Sequence, residues 1–463
     1  QWVVEAYALM LSALLLVGGM LGDNLGHRRV FAAGITVFTA ASVWCGLAPD
    51  IVQLVLARGV QGIGGALLVP GSLALISAHF AADQRGRAIG TWSGFTALAM
   101  ALGPILGGWL VDNASWRWVF FLNVPVAVVT LLILYRRVPE TETTDTGEPL
   151  DWWGAALATM ALGGVVFALV ESGRTDVAIG PVAGSLAVGL AAGAAFLLVE
   201  ARGRSPMVPL NLFRSRTFAG ANLITLPLYA ALGGGLFFLP FNLIQVQGYS
   251  ATEAGAAFLP FIAVMFVLSR WSGGLVDRFG SRRPLIVGPV IAAAGFVLLA
   301  IPGIGGSYWR TFFPGVAVLG LGMALTVAPL TTVVMAAVDG KRAGIASAIN
   351  NAVSRVAGLL AVALLGVFVL FAFDRALDAG VAALNLPAEA VRALADQRLR
   401  LAEAEIPAGL PAGMRVALER AIDDAFVIGF RVAMLISAGL ALSGATVAAI
   451  MIETESPADP PAM

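Results

Sequence analysis

Arg58 is the residue whose placement most calls for a chemical explanation, because it lies inside a long apolar run. A charged arginine in such surroundings is costly unless it faces a cavity or a partner. Arginine keeps its proton in proteins, so its use here would be to act on a neighbouring carboxylate. Arg58 is therefore a candidate functional residue, and Glu5, in the first apolar run, is a candidate for the carboxylate that it acts on. The alternatives are an Arg58 side chain that extends to a membrane surface and a Glu5 that stabilises a helix N-terminus.

A second candidate site is a short loop that places a carboxylate before a pair of arginines, and this loop occurs twice. A contact between carboxylate and guanidinium in this loop would act as a conformational switch if it formed in only one of two states. The alternative is that the arginines only keep the loop on one side of a membrane. The residues concerned are Gly19, Asp23, Gly26, Arg28 and Arg29 in the first copy, and Asp277, Gly280 and Arg282 in the second.

A third candidate is the run Gly103, Pro104, Gly107 and Gly108. Proline bends a helix and small residues let helices approach closely, so this run predicts a bent, tightly packed helix. Ordinary helix packing is the alternative. A weaker set of polar residues inside apolar runs is predicted to line a cavity: Asn222, Tyr229, Asn350 and Arg355.

Several function classes find no support. Cys45 is the single cysteine, and the two histidines, His27 and His79, lack ligand spacing, so we predict no metal site. A phosphate-binding glycine loop with lysine is also absent from the sequence. The 28 basic and 28 acidic residues balance, which gives no indication of a nucleic-acid partner. We therefore expect neither an enzyme nor a cofactor.

The elements that must position these residues are membrane-spanning helices. Hydrophobic residues make up 59% of the 463 residues and charged residues 12%, against roughly 25% charged in a soluble domain. About 20 apolar residues span a bilayer as a helix, which predicts an all-α membrane protein. The thirteen predicted spans are 3–21, 31–48, 52–76, 88–111, 118–135, 153–171, 178–199, 218–244, 254–276, 284–302, 311–337, 343–372 and 426–452.

The loops between these spans differ in charge. Loops on one side carry fifteen arginine or lysine residues and the short loops on the other side carry three. The basic side is predicted to be cytoplasmic, which places the N-terminus outside and the C-terminus inside. The long segment 373–425 is predicted to lie outside, with two short amphipathic helices over Ala388–Ala404 and Met414–Ala425.

The two copies of the basic loop are 254 residues apart, and further matching positions are 255 apart. Eight spans separate the copies, so both have the same orientation, as in parallel repeats with a substrate site between the halves. We predict an N-terminal bundle at 1–137, two linker helices within 138–216, a C-terminal bundle at 217–452 and a cytoplasmic tail at 453–463.

These motifs together resemble the major facilitator superfamily and, more narrowly, its fourteen-span drug:proton antiporter branch. The segments that carry the resemblance are Gly19–Arg29, Leu56–Gly64, Gly103–Gly108, Trp116–Pro125, Leu150–Gly154 and Gln247–Gly255.

This resemblance implies proton-driven export of amphipathic small molecules such as drugs or antibiotics, by alternating access and without a cofactor. It assigns Arg58 to proton coupling and the glycine–proline run to antiport. Glu5 is the nearest candidate in this chain for the proton-coupling carboxylate, although the family more often has a neutral residue at that position. The resemblance also implies a further helix before Trp2 that carries a proton-coupling aspartate. We expect a monomer in the plasma or inner membrane whose partners are substrate, protons and lipid. The alternatives are a transporter of one metabolite and, with less support, a non-transporting receptor or scaffold.

Overall fold

The computed structural model describes residues 2–140, 151–172, 179–203, 206–384, 386–387 and 410–453. The regular structure of these residues is helical. The α-helices are α1 Trp2–Leu25, α2 His27–Leu47, α3 Ile51–His79, α4 Ala82–Asn113, α5 Trp118–Phe121, α6 Asn123–Arg137, α7 Trp152–Ser172, α8 Ile179–Arg202, α9 Arg216–Phe241, α10 Ala251–Ala256, α11 Leu259–Gly273, α12 Leu275–Phe279, α13 Arg282–Ala300, α14 Tyr308–Ala336, α15 Ala343–Leu384 and α16 Ala412–Met451, with single turns of other helix types at Leu210–Arg214, Asn242–Val246 and Gly340–Arg342.

The predicted spans correspond to these helices. Within the described residues, twelve helical stretches are long and apolar enough to cross a membrane. The remaining predicted span, 88–111, lies inside the 32-residue helix α4, whose first turns carry charged residues. The predicted all-α membrane fold is thus confirmed.

The prediction for segment 373–425 is wrong at both ends. Helix α15 continues to Leu384, and α16 begins at Ala412, so Met414–Ala425 is the start of the last long helix and not a separate short one. No proline interrupts Ala412–Met451, and buried apolar residues of α16 pack against the end of α15. The other predicted helix, Ala388–Ala404, lies outside the described residues.

The internal repeat has a counterpart in backbone conformation. Gly26 and Gly280 precede equivalent helices, α2 and α13, with φ angles of 96° and 72°. Glycine adopts such values without steric strain, so both loops make the same abrupt turn between helices. The two extra helices, α7 and α8, pair with each other, and α7 packs against both α1 and α15.

Burial separates inner from outer helices. In α14, 78% of the apolar stretch is buried in protein, against 11% in the stretch Trp118–Arg137. Apolar side chains on the outer helices therefore remain exposed, as expected where lipid replaces water as the solvent. The helices that position the candidate site are α1, α3, α4, α11 and α15.

Candidate functional site

Arg58 lies in α3 among hydrogen-bonding and aromatic partners from other helices. Its Nε donates to the carbonyl oxygen of Val3 at 2.7 Å, and its Nη1 donates to Gln61 Oε1 at 2.5 Å. The guanidinium carbon is 4.5 Å from the ring centroid of Tyr7 and 6.0 Å from that of Phe120. The side chain is therefore held inside the bundle by specific partners, which argues against its extension to the membrane surface.

The polar contacts continue from Arg58 into the interior of the first half. Gln61 is 1% exposed and donates from Nε2 to Ser42 Oγ at 2.6 Å. Ser42 is fully buried and also accepts from Asn123 Nδ2 at 3.3 Å. Buried polar groups of this kind must be hydrogen-bonded to be tolerated, and here they link α2, α3 and α6. We call Arg58, Tyr7, Gln61, Ser42 and Asn123 the arginine network.

Tyr7 connects this network to the second half. Arg355 on α15 lies close enough to Tyr7 for an electrostatic interaction, as Arg58 does. The Nε of Arg355 is buried and has no hydrogen-bond partner among the residues that the structure describes. Glu5 lies on α1 two residues before Tyr7, but its side chain falls outside the described part of the chain, so its pairing with Arg58 stays a prediction.

The predicted cavity residues fall into two groups. Asn350 Nδ2 donates to Thr225 Oγ1 at 2.7 Å and to Asn222 Oδ1 at 3.3 Å, so these residues join α9 to α15 within the second half. Asn222 is only 5% exposed, which identifies it as a packed polar contact. Tyr229 and Arg355 are partly exposed and remain candidates for a cavity surface.

Asp23 joins the two halves. Its two carboxylate oxygens accept hydrogen bonds from the backbone N–H groups of Gly344 and Ile345, each at 2.8 Å. These N–H groups belong to the first turn of α15, where the helix dipole favours negative charge. Gly19 approaches Gly344 so closely that a Cβ on it would lie 2.6 Å from the Gly344 carbonyl oxygen. We call this arrangement the Asp23 contact.

The predicted arginine partners of Asp23 have other contacts. Glu140 lies 3.4 Å from Arg29 Nε and 4.0 Å from Arg28 Nε, and Arg28 also donates to the carbonyl of Val138. His27 Nε2 is 3.4 Å from Asp23 Oδ1. The main cross-half partner of the carboxylate is therefore a helix N-terminus, which sequence spacing alone does not reveal.

Ser281 and Arg282 of the second loop make contacts within their own half. Arg282 donates to the carbonyl of Ala449, and Ser281 donates to that of Glu453 at 3.5 Å, both near the end of α16. The side chain of Asp277 lies outside the described residues.

A second contact between the halves depends on glycine. On α4, Gly86 and Gly90 face Ser269 and Gly273 of α11, and an added Cβ at Gly90 or Gly273 would overlap the backbone of the opposite helix. Gly94 continues this face against Phe266, whose ring contacts Phe95 edge-on at 5.8 Å. We call the pairing of Gly86 and Gly90 with Ser269 and Gly273 the glycine contact.

The predicted packing run on α4 lies beyond this contact. A Cβ at Gly103 or Gly107 would meet no atom within 4 Å. The side-chain surroundings of Pro104 and Gly108 fall outside the described part of the chain, although both lie within the helix. The predicted close helix contact at Gly103 and Gly107 is thus not made by any residue that the structure describes.

Both the sequence and the fold of this chain are matched by known proteins. The Major Facilitator Superfamily profile matches residues 1–362. The chain belongs to this superfamily. The tetracenomycin C resistance and export protein of Streptomyces glaucescens is 32% identical over 455 residues, covering 97% of this chain and 84% of that protein. The multidrug transporter protein MdtP of Bacillus subtilis is 31% identical over 369 residues, covering 79% and 67% respectively.

Solved structures of the superfamily share the fold. The human organic anion transporter MFSD10 aligns with a TM-score of 0.62 at 15% identity, covering 96% of this chain and 83% of that one. The proton:xylose symporter XylE aligns with a TM-score of 0.58 at 14% identity and the same coverage. Together with the twelve candidate spans, these findings make the chain a multi-pass membrane transporter of the major facilitator type.

Sequence reasoning found Arg58, Asp23 and the glycine–proline run, but it missed the residues that surround them. Gln61 has a recognisable signal, because it lies one turn after Arg58 on the same face of an apolar helix. Gly86 and Gly90 also recur at a spacing of four, as small residues at helix contacts do. Ser42, Tyr7 and Asn123 carry no comparable signal, since their partners are distant in sequence.

Proposed function

We propose that this member of the superfamily exports amphipathic small molecules, such as drugs or antibiotics, in exchange for protons. The main support for the export direction and substrate class is that relatives covering most of the chain are named as resistance, multidrug transporter and export proteins. Alternating access is the mechanism, in which two halves rock around a central site.

The Asp23 contact is the observation that carries this mechanism. The carboxylate of Asp23 in one half caps a helix of the other half, and these hydrogen bonds break when the halves separate at that end. The contact therefore stabilises the closed state relative to the open state. We assign this end, with the C-terminus, to the cytoplasmic side, and the charge bias of the loops supports that orientation. The structure then corresponds to a carrier closed towards the cytoplasm.

Proton coupling is proposed for the arginine network. Arg58 does not titrate, so its role is to hold a nearby proton-carrying carboxylate in its ionised form until a proton arrives. Glu5, two residues before Tyr7 on the same helix, is one candidate for that carboxylate. The proton gradient supplies the driving force, and the proposal requires no cofactor.

We further propose that the protein belongs to the fourteen-span branch, with an additional helix before Trp2. The observation that supports this is the uncovered glycine face at Gly103 and Gly107. A helix on that face would complete the predicted antiporter packing, and its aspartate would be the other candidate for proton transfer.

Transport into inside-out membrane vesicles tests export directly. We expect several amphipathic drugs to accumulate in vesicles that contain the protein when a proton gradient is applied, and a protonophore to abolish the accumulation. Accumulation of a single native solute by intact cells would instead favour a dedicated metabolite transporter. Failure of any solute to move would favour a receptor or scaffold.

Arg58→Ala tests whether drug export depends on the arginine network. In a drug-sensitivity panel with the full-length protein, we expect this variant to lose protection while Arg136→Ala, on the exposed end of α6, retains it. Equal protection by the Arg58 variant and the parent would contradict a coupling role for the arginine network.

Glu5→Gln tests the carboxylate. If Glu5 carries the proton, the pH dependence of drug transport shifts in this variant, because glutamine cannot titrate. An unchanged pH profile removes Glu5 from the mechanism and leaves the aspartate of a preceding helix as the candidate.

A further inference from the structure

A cleft lies beside the glycine contact, between α4 of the first half and α11 and α12 of the second. It comprises two adjoining cavities, of about 720 and 270 Å³, that share Asp83 and Arg87 in their walls. We call it the arginine cleft and define it by Asp83, Arg87, Trp92, Arg270, Trp271 and Arg278.

The charge of the cleft is unbalanced. Arg87, Arg270 and Arg278 line it, whereas Asp83 is the single carboxylate in its described walls. Among the residues that the structure describes, none of the three arginines has a side-chain hydrogen bond or an ion pair. The side chain of Arg87 reaches the second half, since a Cβ on Gly274 would lie 3.6 Å from its Cγ and 3.8 Å from its Nε. The cleft therefore offers several charged donors of the kind that bind phosphate.

The arginines come from opposite halves of the protein. Arg87 lies next to Gly86 in the glycine contact, and Arg270 lies next to Ser269 on the facing helix. Closing the halves at this end brings guanidinium groups of like charge around one cavity, which is unfavourable without an anion between them. An anion bound to both halves would favour this closed state.

The surroundings of the cleft indicate which anion fits. Trp92 and Trp271 lie in its walls, and tryptophan favours the interface between lipid and water. The apolar surface next to it is exposed: Phe95 is 60% exposed, Val267 69% and Trp271 55%. A soluble phosphate compound would leave this surface uncovered, whereas acyl chains would cover it.

We propose that the arginine cleft binds an anionic phospholipid, with its phosphate between Arg87 and Arg270 and its acyl chains along the exposed apolar surface. The lipid joins the two halves and stabilises the state closed at the Asp23 end. This role is independent of the exported molecule and of proton coupling.

Native mass spectrometry of the purified full-length protein tests the binding. We expect phosphatidylglycerol to be retained in preference to phosphatidylcholine. We expect its affinity to fall about fivefold for each cleft arginine changed, as in Arg87→Gln and Arg270→Gln. Arg136→Gln, which alters an exposed arginine outside the cleft, should keep the parent affinity. Equal losses in the cleft and control variants would overturn the proposal, because general surface charge would then explain the binding.

The conformational effect is measured with spin labels on Ala81→Cys and Asp339→Cys, which are exposed positions in opposite halves; Cys45 is buried and stays in place. Phosphatidylglycerol should enrich the short-distance population in the parent but not in the double Arg87→Gln, Arg270→Gln variant. The matching lysine variants keep the charge and should restore part of the effect, which excludes misfolding as the cause. Enrichment by lipid in the double glutamine variant, or the same enrichment by soluble glycerol phosphate, would overturn a lipid site.

Discussion

The two contacts between the halves close the same end of the molecule by different means. At the Asp23 contact, a buried carboxylate neutralises the N-terminus of α15 through two backbone hydrogen bonds. At the glycine contact, α4 and α11 touch through Gly86, Gly90 and Gly273, and the nearest charges are arginines without a described partner.

This difference separates two physical requirements of a reversible contact. Backbone atoms can meet only where side chains are absent, so glycine makes both contacts possible. Only the Asp23 contact also supplies an attractive charge, which depends on the closed geometry. The glycine contact lets the two helices approach closely but supplies no such attraction. An anion bound between the nearby arginines would supply it.

The strongest test of the comparison is Gly90→Leu. The Cβ of a leucine here would overlap the backbone of Ser269 and lie 3.0 Å from the Cα of Arg270. Overpacking costs about 1–3 kcal/mol, so we expect the ratio of closed to open molecules to fall about tenfold or more. Spin labels at positions 81 and 339 measure this ratio.

Gly439→Leu is the matched control, since a Cβ at this exposed helical glycine of α16 meets no atom within 4 Å. It should leave the distance distribution unchanged. A closed population in Gly90→Leu that equals the control would show that the glycine contact does not limit closure.

The next largest effect is expected from Asp23→Ala compared with Asp277→Ala. Loss of a helix-capping carboxylate typically costs about 1 kcal/mol, so Asp23→Ala should reduce the closed-to-open ratio about fivefold in the same measurement. Asp277→Ala should change it less than about twofold, because the described hydrogen bonds of Ser281 and Arg282 in the second copy go to α16 of the same half, whereas Asp23 caps a helix of the opposite half. Equal effects would mean that the two loops act symmetrically.

The smallest effect distinguishes packed from uncovered glycines on α4. In the chain described here, Gly103→Ala should raise thermal stability by up to about 1 kcal/mol, because alanine favours a helix and no neighbour opposes its Cβ. In a longer chain with a helix before Trp2, the same change should destabilise. Thermal unfolding of both chains, with and without Gly103→Ala, measures the two effects. If Gly103→Ala destabilised the present chain, Gly103 would already be covered by a neighbouring helix.

Much of the architecture follows from the sequence because lipid imposes it locally. Long apolar runs must become helices when no water can satisfy the backbone, so the spans and the linker pair can be predicted from the sequence. The repeat can be predicted from the loop motif that recurs at Asp23 and Asp277. The sequence predicted a helix over Met414–Ala425 but separated it from the last span, because its charged residues indicated a short surface helix. Periodicity favours a helix there, and only contact with α15 shows that it is continuous.

The sequence by itself also determined which residues needed explanation: Arg58 in an apolar helix, Asp23 before paired arginines, and the glycine–proline run. The tertiary structure decided what each one touches. Asp23 meets the start of α15, more than 300 positions away in the chain, and Arg58 meets Val3 and Tyr7. A charged residue in an apolar run shows from the sequence alone that burying it would cost free energy. Which partner offsets that cost depends on how helices distant in the sequence pack together.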